Sequence, residues 1–472
     1  MSEEETLIRA KSIALIQKTK LRVAQIDPSA FPTGASDKAR DLVARTLDLL
    51  ESKAASPALN AEALFNSLIR LQELVDEVEA SSSEHISWPL VSYCDRVWAA
   101  LFPSADRGIF YSVTQEHNYT ISRFSTKLEL LLKPITDSTE RATLIGTTAL
   151  YCLQVASLEE ENLPLYAVIG HEFGHAVFHA HGNAILTILQ AEIRSLIAGI
   201  FTDFERTDSH TARRRTIRTV RIIKAIAIEL LCDLVGLLIS GPAFFLSLYE
   251  LGWGSDENQW TGKLLPSDAH IVGYPSFAFR IHCLKARTTL STYETNAAKE
   301  FQRIDNRALK ELASFQAKVA SDHSSDRVVI APDADPDKDA IQAVMTARLV
   351  ELKAQLEAFL HRCDDEFLAS YKSRPQFSAV SAEQVAALLQ RLENNILPNI
   401  VPDGTLLGTP ANFGAILNAS AIYRLYLLQS ISTSEPQLIR RELEKIERLT
   451  AKALEVSYIQ QEYNVWDVND RK

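Results

Sequence analysis

The stretch Leu163–Gly182, LPLYAVIGHEFGHAVFHAHG, decides how the rest of the chain is read. At its centre, His171-Glu172-Phe173-Gly174-His175 is an H-E-x-x-H sequence. On a helix, positions i and i+4 share a face, so both imidazoles can meet one metal ion while Glu172 acts as a base toward water. Leu165, Tyr166, Val168, Ile169, Phe173, Val177 and Phe178 make the stretch apolar, as in a largely buried helix. Gly170 and Gly174 each cost about 1 kcal/mol there relative to Ala, which points to close backbone approach by another element or by a substrate. Such a motif recurs by chance in about one chain in fifty of this length, so it draws its weight from the helix around it.

A catalytic zinc takes three protein ligands and keeps one position for water, so a third ligand must come from another element. Outward from the motif, the run beginning at Ala225, AIAIELLCDLVGLLISGPAFFLSLY, is long enough to raise the question of a membrane span. Glu229 and Asp233 within it, and the Gly241-Pro242 break, favour a buried core helix whose acids serve a metal. Glu229 is the expected third ligand, because zinc would offset the desolvation of a buried carboxylate. Asp233, one turn on, is expected to accept the remaining N–H of a ligand histidine. Two alternatives stay open at this point: the reverse assignment, or salt bridges from both acids to Arg194 or Arg221.

With H-E-x-x-H on one helix and Glu229-Leu230-Leu231-Cys232-Asp233 on a later one, the chain resembles the gluzincin peptidases. The likeness is to the integral-membrane prenyl-protein protease and heat-shock protease class, whose second motif is ExxxD, often ExxAD. The resemblance implies zinc on His171, His175 and Glu229, Glu172 as general base, and Asp233 orienting a histidine. That class also carries a histidine-proline pair followed by an arginine. Here Asp268–Arg280, DAHIVGYPSFAFR, puts Tyr274 at the histidine's place, His270 four residues earlier and Arg280 at the arginine's spacing. Tyr274, then His270, then Arg280 are the candidate donors to the oxyanion, and Arg280 is equally readable as an ion-pair partner of Asp233 or Asp268. The likeness covers about residues 105–285 and implies a zincin-like core; the clear membrane spans of that class are missing here, so a soluble relative is expected.

The remaining chain reads as mainly α. Apolar content is 46 %, charged content 23 %, and glycine is scarce at 16 of 472 residues. Helices are expected over 4–25, 35–53, 60–81, 88–102, 137–157, 184–201, 216–249, 276–285, 295–321, 339–370, 382–395, 412–428 and 436–460. Loose alternation of Ile109, Tyr111, Val113, Tyr119, Ile121 and Phe124 around Gln115–Asn118 predicts a hairpin, either a lid or an edge that pairs with a substrate backbone. Residues 202–215 read as a linker and 331–339, APDADPDKD, as an exposed acidic turn without calcium-loop order. The expected division is 1–104 helical, 105–290 metallopeptidase core with a small β-hairpin or sheet, and 291–472 helical.

A net charge of -11, with no arginine-rich face beside an aromatic stripe, argues against nucleic acid. Arg213-Arg214-Arg215, Arg218, Arg221 and Lys224 read as a solvated helix start. Five scattered cysteines (Cys94, Cys152, Cys232, Cys283, Cys363) read as buried thiols of a reducing compartment, and the acidic start MSEEETLIRAKS makes the cytoplasm the expected location. His179 and His181 read as capping or fringe residues. Zinc-dependent hydrolysis of a peptide or protein substrate is the expected function. Its rivals are a non-catalytic zinc-containing helical module, binding a protein through the flanking helices, and hydrolysis of a non-peptide amide.

Overall fold

The computed structural model describes residues 3–248 and 337–470 with short breaks (57–58, 83, 85, 105–106, 115–118, 148, 157–161, 206–207, 245, 378–380, 404–407 and 431–435), and between them residues 275, 279, 280, 283 and 284. The chain is mainly helical and divides into two compact units, Met1–Glu161 and Asn162–Lys472.

In the first unit, α1 (Glu3–Gln25), α2 (Gly34–Ala54) and α3 (Ala61–Glu79) bury Ile16, Leu42, Leu47, Leu50, Leu64, Leu68, Leu71 and Val75 in one core. The chain turns from α2 to α3 over Arg9, a buried residue of α1. Its guanidinium donates to Ala54 O (3.3 Å) at the end of α2 and to Ser56 O (2.7 Å) and Leu59 O in the connection to α3. Asn60 caps α3 by accepting from Glu62 N and Ala63 N. After α4 (Trp88–Leu101) come β1 (Arg107–Thr114), β2 (Thr120–Arg123), α5 (Phe124–Leu132), α6 (Ser138–Ile145) and β3 (Ala149–Ala156).

The predicted hairpin is not formed. β3 lies between the two strands, parallel to β1 (Arg107↔Ala149 to Thr114↔Ala156) and antiparallel to β2 (Thr120↔Gln154 to Arg123↔Tyr151). Residues 137–157 are accordingly not one helix. Gly146, with φ +70°, ends α6, and the following run Leu150, Tyr151, Cys152, Leu153 and Val155 is buried on both faces. A short continuous apolar run suits a central strand and a buried helix equally, which is why periodicity misassigned it.

The second unit is built on α7 (Leu163–Glu192) and α9 (Ser209–Ser240), packed along each other, with α8 (Arg194–Phe204) between them in sequence. α7 bends at His181, whose φ/ψ of −127°/15° is not helical. The expected linker over 202–215 is largely helical: α8 runs to Phe204, and Asp208 accepts from Thr211 N (2.9 Å) and starts α9 at Ser209. α9 ends at Gly241, φ +56°. The fully buried Asn418 of a later helix satisfies the exit, donating to Ser240 O (3.0 Å) and accepting from Ala243 N (2.8 Å).

The helix expected over 339–370 is broken into α10 (Lys338–Ala347), α11 (Leu349–Arg362), a π-helical turn (Cys363–Phe367) and α12 (Ala369–Lys372). Then follow α13 (Ala382–Glu393), the short strands β4 (Ile400–Val401) and β5 (Thr409–Pro410), α14 (Phe413–Ser430, which holds Asn418) and α15 (Pro436–Asp470). Of the helix expected over 276–285, residues 279, 280, 283 and 284 are described and helical; 295–321 lies outside the described residues.

Asp337 corrects two surface readings together. It belongs to the acidic turn yet is only 2 % exposed, and it accepts from Arg214 Nε (3.0 Å), Arg215 Nε (2.9 Å) and Arg218 Nη1 (3.2 Å) of α9. Asp337 and the three arginines of the basic helix start are thus each other's partners.

Among the described residues no single helix is long and apolar enough to cross a membrane. One pair bent by 61°, Tyr166–Glu192 with Arg194–Phe204, meets that test by length and composition alone.

Candidate metal centre

Two helices meet backbone to backbone at the motif. A Cβ built on Gly174 would lie 2.4 Å from Cys232 Cα and 3.0 Å from Cys232 O, and one on Gly170 would lie 3.0 Å from Gly236 Cα. Only hydrogen fits at Gly174, so the two glycines that weaken α7 as a helix are what let α9 approach it. The closeness anticipated from sequence is therefore an approach by a second helix. It brings His171, Glu172 and His175 of α7 against Glu229, Cys232 and Asp233 of α9.

His171 is the hub. Its Nδ1 lies 2.7 Å from Asp233 Oδ1, and its Nε2 lies 3.2 Å from Glu229 Oε2. His175 Nε2 is 3.8 Å from Glu229 Oε1, and the two imidazole rings stand 5.0 Å apart, nearly perpendicular. Arg280 closes the far side, donating from Nε to Asp233 Oδ2 (2.8 Å) and from Nη2 to Asp233 Oδ1 (2.6 Å). Both oxygens of Asp233 are thus engaged, and an ionised Asp233 selects the His171 tautomer with its proton on Nδ1. The neutral ring then points its Nε2 lone pair at Glu229.

That facing pair tests whether a cation fits. Glu229 Oε2 is buried and has no hydrogen-bond partner, since its approach to His171 Nε2 has the distance of an ion pair without the geometry of a hydrogen bond. A carboxylate oxygen and an imidazole lone pair facing each other in a buried site repel unless a positive charge lies at their junction. A proton on His171 Nε2 can also serve that part, as an ion-pair contact at 3.2 Å and not as an aligned hydrogen bond. Burial opposes charge on His171, but Asp233 and Glu229 outweigh it and push the pKa up to about 9. His175 moves the other way, to about 4, through burial and then the positive His171 beside it. Burial raises both acids, yet His171 holds Glu229, and Arg280 holds Asp233, below the usual carboxylate range. Two imidazole nitrogens and a carboxylate are a donor set suited to zinc.

Cys232 adds a donor that reading the sequence missed. All five cysteines are free and buried, as expected, but Cys232 sits in the centre. One donor atom each from His171, His175 and Cys232 lie within 4.8 Å of one another. The signal was available: Cys232 follows Glu229 by three residues, hence shares its helix face. Burial, with Glu229, Asp233 and Glu172 nearby, pushes its thiol pKa up in the metal-free chain.

The other candidates separate. Arg280 lies on the Nδ1 side of His171 with Asp233, not on the Nε2 side that faces Glu229. Arg194 and Arg221, the sequence alternatives as ion-pair partners of the buried acids, are exposed. His179 is exposed, and His181 turns to Tyr371 (Nε2 to hydroxyl 3.2 Å) and the Phe367 ring. His270 and Tyr274 lie outside the described residues. No family model, curated protein or solved structure matches this chain.

Proposed function

We propose that the chain is a zinc-dependent hydrolase of peptide bonds, with His171, His175 and Glu229 holding the metal and Glu172 as general base. The observation that carries this reading is the buried Glu229 Oε2, without a hydrogen-bond partner and aimed at His171 Nε2. A divalent cation there supplies Lewis-acid polarisation of a carbonyl and a water that is nucleophilic near neutral pH. Glu172, buried and adjacent to His171, takes the proton of the attacking water and returns it to the leaving amine nitrogen. Asp233 holds the proton on His171 Nδ1 and thereby keeps Nε2 available, while Arg280 keeps Asp233 ionised. Arg280 is therefore assigned a positioning role. The oxyanion donor is assigned to Tyr274, with His270 as the alternative, on sequence alone.

A second reading, a non-catalytic zinc-containing interaction module, is favoured by Cys232, because structural zinc fills its fourth position with protein. One experiment separates the two. Metal content and cleavage of a mixed peptide library are measured for wild type, Glu172→Gln and Glu229→Ala. The hydrolase requires about one zinc per chain, retained by Glu172→Gln with loss of cleavage, and weakened metal binding in Glu229→Ala. Undiminished cleavage by Glu172→Gln excludes the mechanism. Zinc in the wild type with no cleavage of any peptide supports the module.

A further inference from the structure

The geometry points to a fourth donor: we propose that the Cys232 thiolate occupies the remaining position on the metal at rest, and that a hydrolytic site opens when water replaces it. This rests on the metal-centre reading above and adds a control to it. Three observations support it. First, donor atoms of Cys232, His171 and His175 lie within 4.8 Å of one another, a group that does not include Glu229, which approaches the same two histidines at 3.2 and 3.8 Å. Second, the buried Oε2 of Glu229, without a hydrogen-bond partner, independently marks this place as one that receives a cation. Third, the Cys232 backbone is fixed against Gly174, so only its single side-chain torsion is left to carry Sγ toward or away from the histidines.

The chemistry is a ligand exchange. On closing, the S–H bond breaks, a sulfur–metal bond forms and the proton goes to the buffer. On opening, that bond breaks, sulfur takes up a proton from the buffer and water takes its place; no oxidant or reductant enters. Two imidazoles, one carboxylate and one thiolate complete a tetrahedral set, the closed arrangement of a structural zinc, whereas removal of the thiolate leaves the three-ligand arrangement of a catalytic one. Position 232 is often alanine in the ExxAD motif of the class this chain resembles, so the thiol belongs to this chain and not to the shared motif. Among the described residues no other cysteine joins such a group.

The test uses the full chain loaded with cobalt(II), in wild type, Cys232→Ala and Cys232→Ser, with circular dichroism to establish folding. Wild type is expected to show a thiolate-to-cobalt charge-transfer band in the near ultraviolet. Both variants are expected to bind one cobalt without that band, at least about tenfold more weakly in competition with a chelator. With zinc, Cys232→Ala is expected to cleave peptides faster than wild type. Cobalt bound to wild type without the band overturns this proposal and leaves the metal-centre reading standing, as does a band that survives in Cys232→Ala. Cleavage no faster in Cys232→Ala overturns the closing role. No cobalt bound to wild type overturns both readings.

Discussion

Gly174→Ala tests the backbone contact on which the centre stands. The added methyl would sit 2.4 Å from Cys232 Cα, about 1 Å short of the 3.4 Å at which ordinary contact begins, and the atom it meets is backbone that cannot rotate aside. Overpacking of this kind costs about 1–3 kcal/mol, and a backbone clash belongs at the upper end. Replacing a helical glycine by alanine returns about 1 kcal/mol, leaving a net loss of about 2 kcal/mol. Gly182→Ala is the control on the same helix. Its methyl would meet only the Phe178 ring at 3.6 Å, and because Gly182 follows the bend at His181 only part of the helix gain applies, so the variant is neutral or stabilised by less than about 1 kcal/mol. The metal readout is more sensitive still, because metal–ligand distances tolerate only about 0.2 Å and the displacement moves α9, with Glu229, by several times that. Urea midpoints of the metal-free protein and chelator competition for zinc measure the two effects. Equal midpoints for the two variants, with zinc affinity unchanged in Gly174→Ala, would falsify the claim that this contact assembles the centre.

Arg280→Met leaves the buried Asp233 carboxylate with His171 as its remaining partner and Oδ2 without its donor, a loss of up to about 3 kcal/mol, and Arg280→Lys is expected to recover only part, because an ammonium cannot make the two-point contact; full recovery by lysine would show that charge alone matters. The metal-free protein should be most stable near pH 6.5. His171, with its pKa raised to about 9, contributes about 3 kcal/mol below pH 6.5 that is lost as pH rises through 9. His175, with its pKa lowered to about 4, makes stability fall as pH drops from 6.5 through 4. Urea midpoints across this range that stay flat would contradict both shifts. Zinc must displace the His171 proton and, with Cys232 on the metal, the thiol proton as well, so its apparent affinity should rise about a hundredfold per pH unit between pH 7 and 9 in wild type and about tenfold in Cys232→Ala; a pH-independent affinity counts against His171 as ligand. Asp337→Ala removes the acceptor shared by three arginines and should loosen the start of α10 by about 1–2 kcal/mol, read as faster amide hydrogen exchange there. Unchanged exchange would make the cluster decorative.

Most of the helices were legible in the chain because their apolar spacing and caps are local. Asn60, Asp137 and Pro436 stand at or just before helix starts as sequence rules place them, and the periodicity of α1 to α4 needs no partner to be seen. Local spacing also supplied the two histidines and the two acids, since i and i+4 share a face whatever surrounds the helix. Pairing is different, because it joins residues far apart in the chain and leaves no periodic trace. β3 between β1 and β2 and Asp337 under three arginines of α9 follow only from how the helices and strands pack, and packing also chose Asp233 for Arg280 among the roles its spacing left open. Cys232 looked like any buried thiol until Gly174 admitted its backbone. Sequence alone thus determined the inventory of donors and the helices that carry them. Tertiary structure alone decided which donor faces which, because the glycine contact sets the separation of α7 and α9, and the roles of Glu229, Cys232 and Asp233 depend on that separation.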